Sequence, residues 1–131
     1  MQNLIKNKLI KFLPVLLWMG LIFYLSSGQT TSITGTSTER FLILKTFHLI
    51  EYAILFLLIY YALFKINISV FYSYVYAISD EFHQSFVPGR GSKFSDTLID
   101  LVGIGIGIIV LKILLPYIKR KYKMSLLTRH V

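Results

Sequence analysis

Cysteine is absent from this chain of 131 residues, and charged side chains are scarce. Without thiols, disulfides, zinc-thiolate sites and cysteine nucleophiles are all excluded. Only 15% of the residues are charged and 55% are hydrophobic, with a mean hydropathy of +0.65. A water-soluble domain of this length carries more charge, so we expect the lipid bilayer to be the solvent. Any chemistry must come from carboxylates, histidines, hydroxyls or arginine.

Acidic residues number only six against 14 Lys and Arg, which leaves a formal net charge of +8. A basic excess is typical of nucleic-acid-binding proteins, but here the basic residues fall in the gaps between apolar runs. This pattern follows the positive-inside rule better than it follows a DNA-binding face. We therefore expect membrane lipids and no nucleic acid as partners, and we interpret the charge as a topology signal.

Four apolar runs predict an all-α membrane protein with one domain over residues 1–131, a bundle of four transmembrane helices. The approximate spans are 9–25, 47–64, 66–84 and 97–118. The third run is apolar only to Ser79 and must borrow residues up to Gln84 to reach the ~17 to 25 residues of a span. The first span has a basic start, so a cleaved signal peptide stays an alternative. Its length and the lack of an A-x-A site favour an uncleaved helix.

The basic residues predict that both termini are cytoplasmic. Lys6, Lys8, Lys11, Lys65 and five residues after Ile118 would lie inside, with Lys112 left out as intramembrane. The outer side would hold Arg40, Lys45, Arg90 and Lys93. The inner side is the more basic, so the two longer loops are expected outside.

Two local signals shape those outer loops. Residues 26–37 form a Ser/Thr/Gly tract that predicts a surface loop, in which Ser37 or Thr38 is expected to cap the second helix. Pro88 and Gly89 suit the two central positions of a turn, since proline fits the first and glycine supplies a positive φ at the second.

With this topology, polar residues gather at the outer ends of three helices. The group holds five of the six acidic residues and two of the three histidines, namely His48, Glu51, Asp80, Glu81, His83, Asp96 and Asp100. At ~1.5 Å per residue, the deeper carboxylates lie only about 4 to 6 Å below the assumed boundary. A charge at the bilayer centre costs roughly 2.5 to 3.5 kcal/mol, so these groups must face inward or meet a partner.

Helical spacing sorts the group into three stripes, because residues three or four apart share a face. The stripes are His48, Glu51 and Tyr52; Asp80, His83 and Gln84; and Asp96 with Asp100. The last stripe continues into Gly103 and Gly107, a small-xxx-small surface that lets a neighbouring helix approach closely. One face of the last helix is therefore predicted both to pack and to present carboxylates.

Three interpretations of these polar groups compete. An acid/base site is favoured, because carboxylates can hold a histidine in one tautomer, ready to move a proton. Tyr52, Gln84 and Arg90 would then bind the ligand, and the planar fork of Arg90 suits a phosphate or carboxylate. Alternatively the groups only satisfy one another and lock the helix ends. A metal site ranks lowest because no HExxH or comparable spacing is present, and we expect no metal and no cofactor.

The order of the motifs resembles the VanZ-like family of small bacterial membrane proteins, named after a teicoplanin-resistance accessory protein. The matching blocks are residues 48–52 (HLIEY), 80–84 (DEFHQ) running into 86–90 (FVPGR), and Asp96-x-x-x-Asp100-x-x-Gly103-x-x-x-Gly107. They cover the chain from about His48 to Gly107. Residues 26–29 (SSGQ) match less well, since the family usually places Gln directly after the serines.

The resemblance implies a helical membrane domain and, for some members, a link to glycopeptide or lipoglycopeptide tolerance and cell-envelope physiology. It supplies no reaction, and whether the chain is an enzyme stays open. The favoured function is action on an anionic lipid-linked or peptidoglycan-related ligand at the extracytoplasmic face of the cell membrane. The alternatives are a non-catalytic binder of a lipoglycopeptide or modulator of a partner enzyme, and, ranked last, a proton-coupled transporter. The oligomeric state is not predicted.

Overall fold

The computed structural model describes residues 2–28, 35–90 and 95–128 and contains four helices. They are α1 (Gln2–Ser26), α2 (Ser37–Leu63), α3 (Ile66–Gln84) and α4 (Asp96–Thr128), and the described residues include no strand. The all-helical prediction is therefore confirmed. Most of the predicted Ser/Thr/Gly loop, including Gln29, lies outside the described residues, as does Lys93.

The ends of α2 have clear local causes. Thr36 is the N-cap, its side chain accepts from the Glu39 backbone N–H, and the Glu39 carboxylate accepts from the Thr36 N–H at 2.8 Å. The prediction of a cap at Ser37 or Thr38 was thus wrong, because both residues are already helical and this reciprocal capping box fixes the start one residue earlier. At the other end Phe64 adopts a left-handed φ of 55° and closes the helix.

The turn after α3 follows the sequence signal. The Arg90 N–H donates to the Val87 carbonyl at 3.2 Å, which places Pro88 and Gly89 at the two central positions. Gly89 has a φ of 78°, as the second central position of such a turn requires. The prediction of this turn is therefore confirmed.

Contacts between helices show that the four helices alternate in direction. His48 of α2 meets Asp100 of α4, and further down the same pair Ala53 lies beside Gly107, so α2 and α4 run parallel. Lys11 lies over the Phe64 ring and Trp18 reaches Glu51, so α1 runs opposite to α2. The short connection through Lys65 turns α3 back along α2. The start of α1 and the end of α2 thus share one end of the bundle, and the polar helix tips lie at the other.

Two glycines let α4 lie against the backbone of α2. A Cβ added at Gly103 would lie 2.6 Å from the Leu49 carbonyl oxygen, and one at Gly107 would lie 2.9 Å from that of Ala53. Gly105, on the other side of α4, has nothing within 4 Å. Only a missing side chain permits such backbone contact, so the predicted small-residue packing surface is confirmed.

The interior of the bundle is about half polar, and much of its surface is apolar. Its buried residues are divided almost evenly between hydrophobic and polar or charged types, whereas Leu16, Leu17 and Tyr24 of α1 are 62%, 66% and 76% exposed. Such an extended apolar surface is unfavourable in water and favourable in lipid. By length and composition two of the described helices, Ser37–Leu63 and Asp96–Tyr117, are apolar enough to cross a membrane, and Ile10–Ser26 is a shorter apolar helix.

Candidate functional site

The candidate site is built around a buried histidine–aspartate pair that joins α2 to α4. His48 Nδ1 lies 2.9 Å from Asp100 Oδ1. Only 6% of His48 and 1% of Asp100 is exposed, so both side chains point between the helices and away from lipid. When Asp100 is ionised it can only accept, and Nδ1 then carries the proton of this hydrogen bond. Nε2 is then the ring nitrogen left to take up or release a proton.

A second polar network centres on Asp80 of α3, which is 4% exposed. Its Oδ2 accepts from the Tyr52 hydroxyl at 3.4 Å and from Gln84 Nε2 at 2.8 Å. The Gln84 Oε1 in turn accepts from Arg90 Nε at 3.1 Å. A chain of hydrogen bonds therefore runs from α2 through α3 to the turn. Asp80 Oδ1 is buried and has no hydrogen-bond partner among the described residues, so the carboxylate keeps an acceptor available.

Glu51 lies between the two networks. The charges of His48, Asp80, Asp100 and Arg90 all act on its carboxylate, so these five residues share one electrostatic environment. Its backbone carbonyl accepts from the Trp18 indole at 3.0 Å, which ties α1 to this level of α2. We refer below to His48, Glu51, Tyr52, Asp80, Gln84 and Asp100 as the polar cluster.

Two further predicted residues lie beside the polar cluster on α3. Glu81 is buried and its charge acts on Asp100 across the bundle. The His83 ring stacks on Phe23 of α1 with ring centroids 4.2 Å apart, and its Nδ1 is buried without a hydrogen-bond partner among the described residues. His83 therefore faces α1, whereas His48 faces α4.

Asp96 and Arg90 have partners that the sequence did not indicate. Asp96 forms an ion pair with Lys45, one helical turn outside the His48–Asp100 pair and partly exposed. Arg90 is half-buried, and its Nη1 donates to the carbonyls of Leu25 at 2.8 Å and Gly28 at 3.1 Å. Arg90 thus fastens the turn to the end of α1, and part of its donor fork is already used.

The helix α1 supports the site through residues that the sequence did not indicate. Trp18 binds the Glu51 carbonyl, Phe23 stacks on His83, and the Met19 carbonyl accepts from the Tyr76 hydroxyl at 2.6 Å. A tryptophan in the middle of an apolar run was the available signal, since a buried indole N–H needs an acceptor. The backbone carbonyls leave no trace in the sequence.

The arrangement suits proton transfer better than metal binding. Among residues 2–28, 35–90 and 95–128, no group of three or more His, Asp or Glu has a geometry that would hold a metal ion. The histidine held by a carboxylate, with further buried carboxylates nearby, is instead the arrangement of a general acid or base. The catalytic and binding roles of the individual residues stay predictions.

Comparison with known proteins identifies a family. The family model described as VanZ/LLP1 matches residues 11–115, which cover α1 from Lys11 onward, all of α2 and α3, and α4 as far as Leu115. No significant match was found among curated proteins or among solved structures. The matched region includes every residue of the polar cluster and the Gly103 and Gly107 contacts. Because the match extends over most of the sequence, the chain belongs to the VanZ/LLP1 family.

Proposed function

We propose that the protein is a four-span membrane protein of the bacterial cell envelope, with both termini in the cytoplasm and the polar cluster at the extracytoplasmic side. Two candidate spans, the apolar surface of α1 and the alternating helix directions support this topology. Lys11, beside Phe64, and Lys65 lie at the end opposite the cluster, where the positive-inside rule places the cytoplasm.

At that outer end, the protein acts by acid/base chemistry on an anionic lipid-linked or peptidoglycan-related ligand, and so contributes to tolerance of glycopeptides or lipoglycopeptides such as teicoplanin. The observation that carries this proposal is the buried His48–Asp100 pair at 2.9 Å. A carboxylate that fixes the tautomer and orientation of an imidazole is the usual way to prepare a general base. Family membership and the proposed position of the cluster near the headgroup region support an envelope ligand.

The test is teicoplanin tolerance of cells that express His48→Ala or Asp100→Asn, measured together with the amount of protein in the membrane. Both variants should lose the tolerance at normal membrane abundance, since removing a general acid or base lowers a rate by ~10² to 10⁴-fold. The matched control is Lys45→Gln, which breaks the neighbouring ion pair on the same two helices and should keep the tolerance. A parallel loss of abundance in His48→Ala and Asp100→Asn would contradict the proposal.

A non-catalytic binding or modulating role is the second candidate, and the contacts of Asp80 and Arg90 favour it. Asp80 Oδ2 already accepts from two side chains, and Arg90 donates to Gln84 and to the end of α1, as expected of groups that hold helices together. Glu51→Gln and Gly103→Leu separate the two roles. Catalysis should be lost in the near-isosteric Glu51→Gln, whereas a structural role should survive it and be lost in Gly103→Leu, which clashes with Leu49.

A further inference from the structure

An apolar groove runs along the seam between α1 and α3, with α2 as its floor. It has a volume of about 380 Å³ and is bounded by Leu16 and Met19 on one side, Val75 and Tyr76 on the other, and Ile59 beneath. Leu16 and Val75 are exposed, so the groove opens sideways to the surroundings of the bundle. Its size falls within the ~300 to 1,000 Å³ of ordinary ligand sites.

Two of the hydroxyls that line the groove already have hydrogen-bond partners. The Tyr76 hydroxyl donates to the Met19 carbonyl at 2.6 Å, and the Ser79 hydroxyl donates to the Tyr76 carbonyl at 2.7 Å. Neither hydroxyl needs a partner from an occupant. An occupant of the groove would therefore gain little from polar groups and much from apolar contact, as a hydrocarbon chain does.

The upper end of the groove lies close to the polar cluster. Ser79, which borders the groove, precedes Asp80 in the chain, and the ring of Tyr76 lies 6.5 Å from the ring of Tyr52. Tyr52 in turn donates to Asp80. A molecule with an apolar tail in the groove would thus have its polar end beside the acid/base groups.

We infer that this groove holds the hydrocarbon chain of the lipid ligand on which the polar cluster acts. The inference rests on the proposed function and names the class of ligand, an anionic lipid that enters sideways from the bilayer between α1 and α3. Four features carry it: the apolar lining, the internally bonded hydroxyls of Tyr76 and Ser79, the lateral opening, and the closeness to Asp80 through Tyr76 and Tyr52. A groove that opens sideways to the hydrocarbon core of the bilayer is not filled by water. A hydrocarbon chain of a neighbouring lipid is therefore the available occupant.

Two neighbouring leucines give a matched pair of variants for the test. Leu16 and Leu17 are 62% and 66% exposed, and only Leu16 borders the groove. Leu16→Trp would fill the groove, whereas Leu17→Trp places the same bulk on the open surface of the same helix. Val75→Trp, with Phe71→Trp as its control, repeats the comparison from α3. This second pair provides the test if the Leu16→Trp protein fails to insert into the membrane.

The measurement uses the full chain in phosphatidylcholine vesicles that contain a trace of phosphatidylglycerol with a photoreactive diazirine near the end of one acyl chain. After illumination, labelled residues are located by mass spectrometry. In the unchanged protein, the label should concentrate on the groove residues of α3 and spare Phe71 on the same helix. Leu16→Trp should lower the labelling of the groove by about tenfold, the ratio that corresponds to a loss of ~1.4 kcal/mol of binding, and Leu17→Trp should leave it unchanged.

The outcomes separate this inference from the proposed function. Equal labelling of the groove and of Phe71, or equal labelling in Leu16→Trp and Leu17→Trp, would mean ordinary contact with bulk lipid and would overturn the inference. In cells, Leu16→Trp should lose teicoplanin tolerance and Leu17→Trp should keep it. Tolerance retained in a Leu16→Trp protein that no longer labels would show that the bound chain is not that of the ligand. His48→Ala should label normally, and retained tolerance in that variant would refute only the acid/base function.

Discussion

The contact of Gly103 with α2 allows the sharpest prediction, the effect of adding one methyl group. In Gly103→Ala the new Cβ would lie 2.6 Å from the Leu49 carbonyl oxygen and 3.0 Å from the Leu49 Cα. Both atoms belong to backbone, so no side chain can rotate to make room. The two helices must move apart or bend, and overpacking of this kind costs typically about 1 to 3 kcal/mol.

Gly105 is the matched control because it lies on the same helix and nothing surrounds its Cβ position within 4 Å. Replacing it by alanine should be neutral or stabilise the helix by up to roughly 0.5 to 1 kcal/mol, since alanine loses less backbone entropy than glycine on folding. Gly107→Ala should resemble Gly103→Ala, because its Cβ would lie 2.9 Å from the Ala53 carbonyl oxygen.

The assay is reversible unfolding of the purified protein in mixed detergent micelles, which gives the free energy of unfolding for each variant. The difference between Gly103→Ala and Gly105→Ala should therefore reach about 1 to 4 kcal/mol, the sum of the penalty at one site and any gain at the other. Equal unfolding free energies in the two variants would refute the claim that α4 lies against the backbone of α2.

A double variant that combines Gly103→Ala with His48→Ala tests whether the helix contact and the polar cluster depend on each other. The His48–Asp100 hydrogen bond is next to the Leu49–Gly103 contact, because His48 directly precedes Leu49 and Asp100 lies about one turn before Gly103. Separating the helices at Gly103 should weaken that bond, so the effects of Gly103→Ala and His48→Ala should not add. A coupling free energy of about 0.5 to 3 kcal/mol is expected for sites in contact, and additive effects would contradict the shared interface.

Three further predictions concern the turn, the helix cap and the topology. Arg90→Lys should cost about 1 to 3 kcal/mol of unfolding free energy, because lysine cannot reproduce the fork that joins the turn to α1, and an unchanged value would contradict that role. Thr36→Ala should cost about 0.5 to 2 kcal/mol and Thr38→Ala much less, since only the first caps α2; equal costs in thermal unfolding would count against the capping box. In the cysteine-free background, Ser92→Cys should react with an impermeant maleimide added to intact cells and Ser125→Cys should not, whereas the reverse result would invert the proposed topology.

The sequence predicted the helices better than it predicted their ends. Apolar runs located all four helices, and the third helix does continue from Ile66 to Gln84 through residues that it had to borrow. However, α2 begins at Ser37, well before the predicted span. Hydrophobicity reports only the uninterrupted apolar part of a helix. The first turns of α2 carry Glu39, Arg40 and Lys45, so they lie beyond that part, and the Thr36 cap holds their start.

Within the candidate site, residue spacing predicted which side chains share a face of one helix. It did not predict which residues of two neighbouring helices lie at the same height. The three-and-four spacing placed His48 and Asp100 each on a polar face of its own helix. Nothing in the sequence gives the relative height of α2 and α4, so the pairing of Lys45 with Asp96 was not predictable. The direction of Arg90 was equally hidden, because it depends on where α1 ends in space.

The main-chain hydrogen bonds that hold α1 affect which substitutions this helix can accept. Three of the contacts that anchor α1 and the residues just after it use main-chain oxygens, those of Met19, Leu25 and Gly28. Main-chain acceptors are present whatever the side chain, so these links constrain the path of the helix and leave most of its residue types free. The wall that α1 contributes to the groove can therefore change shape by substitution at Leu16, for instance, while the polar cluster across the bundle keeps its position.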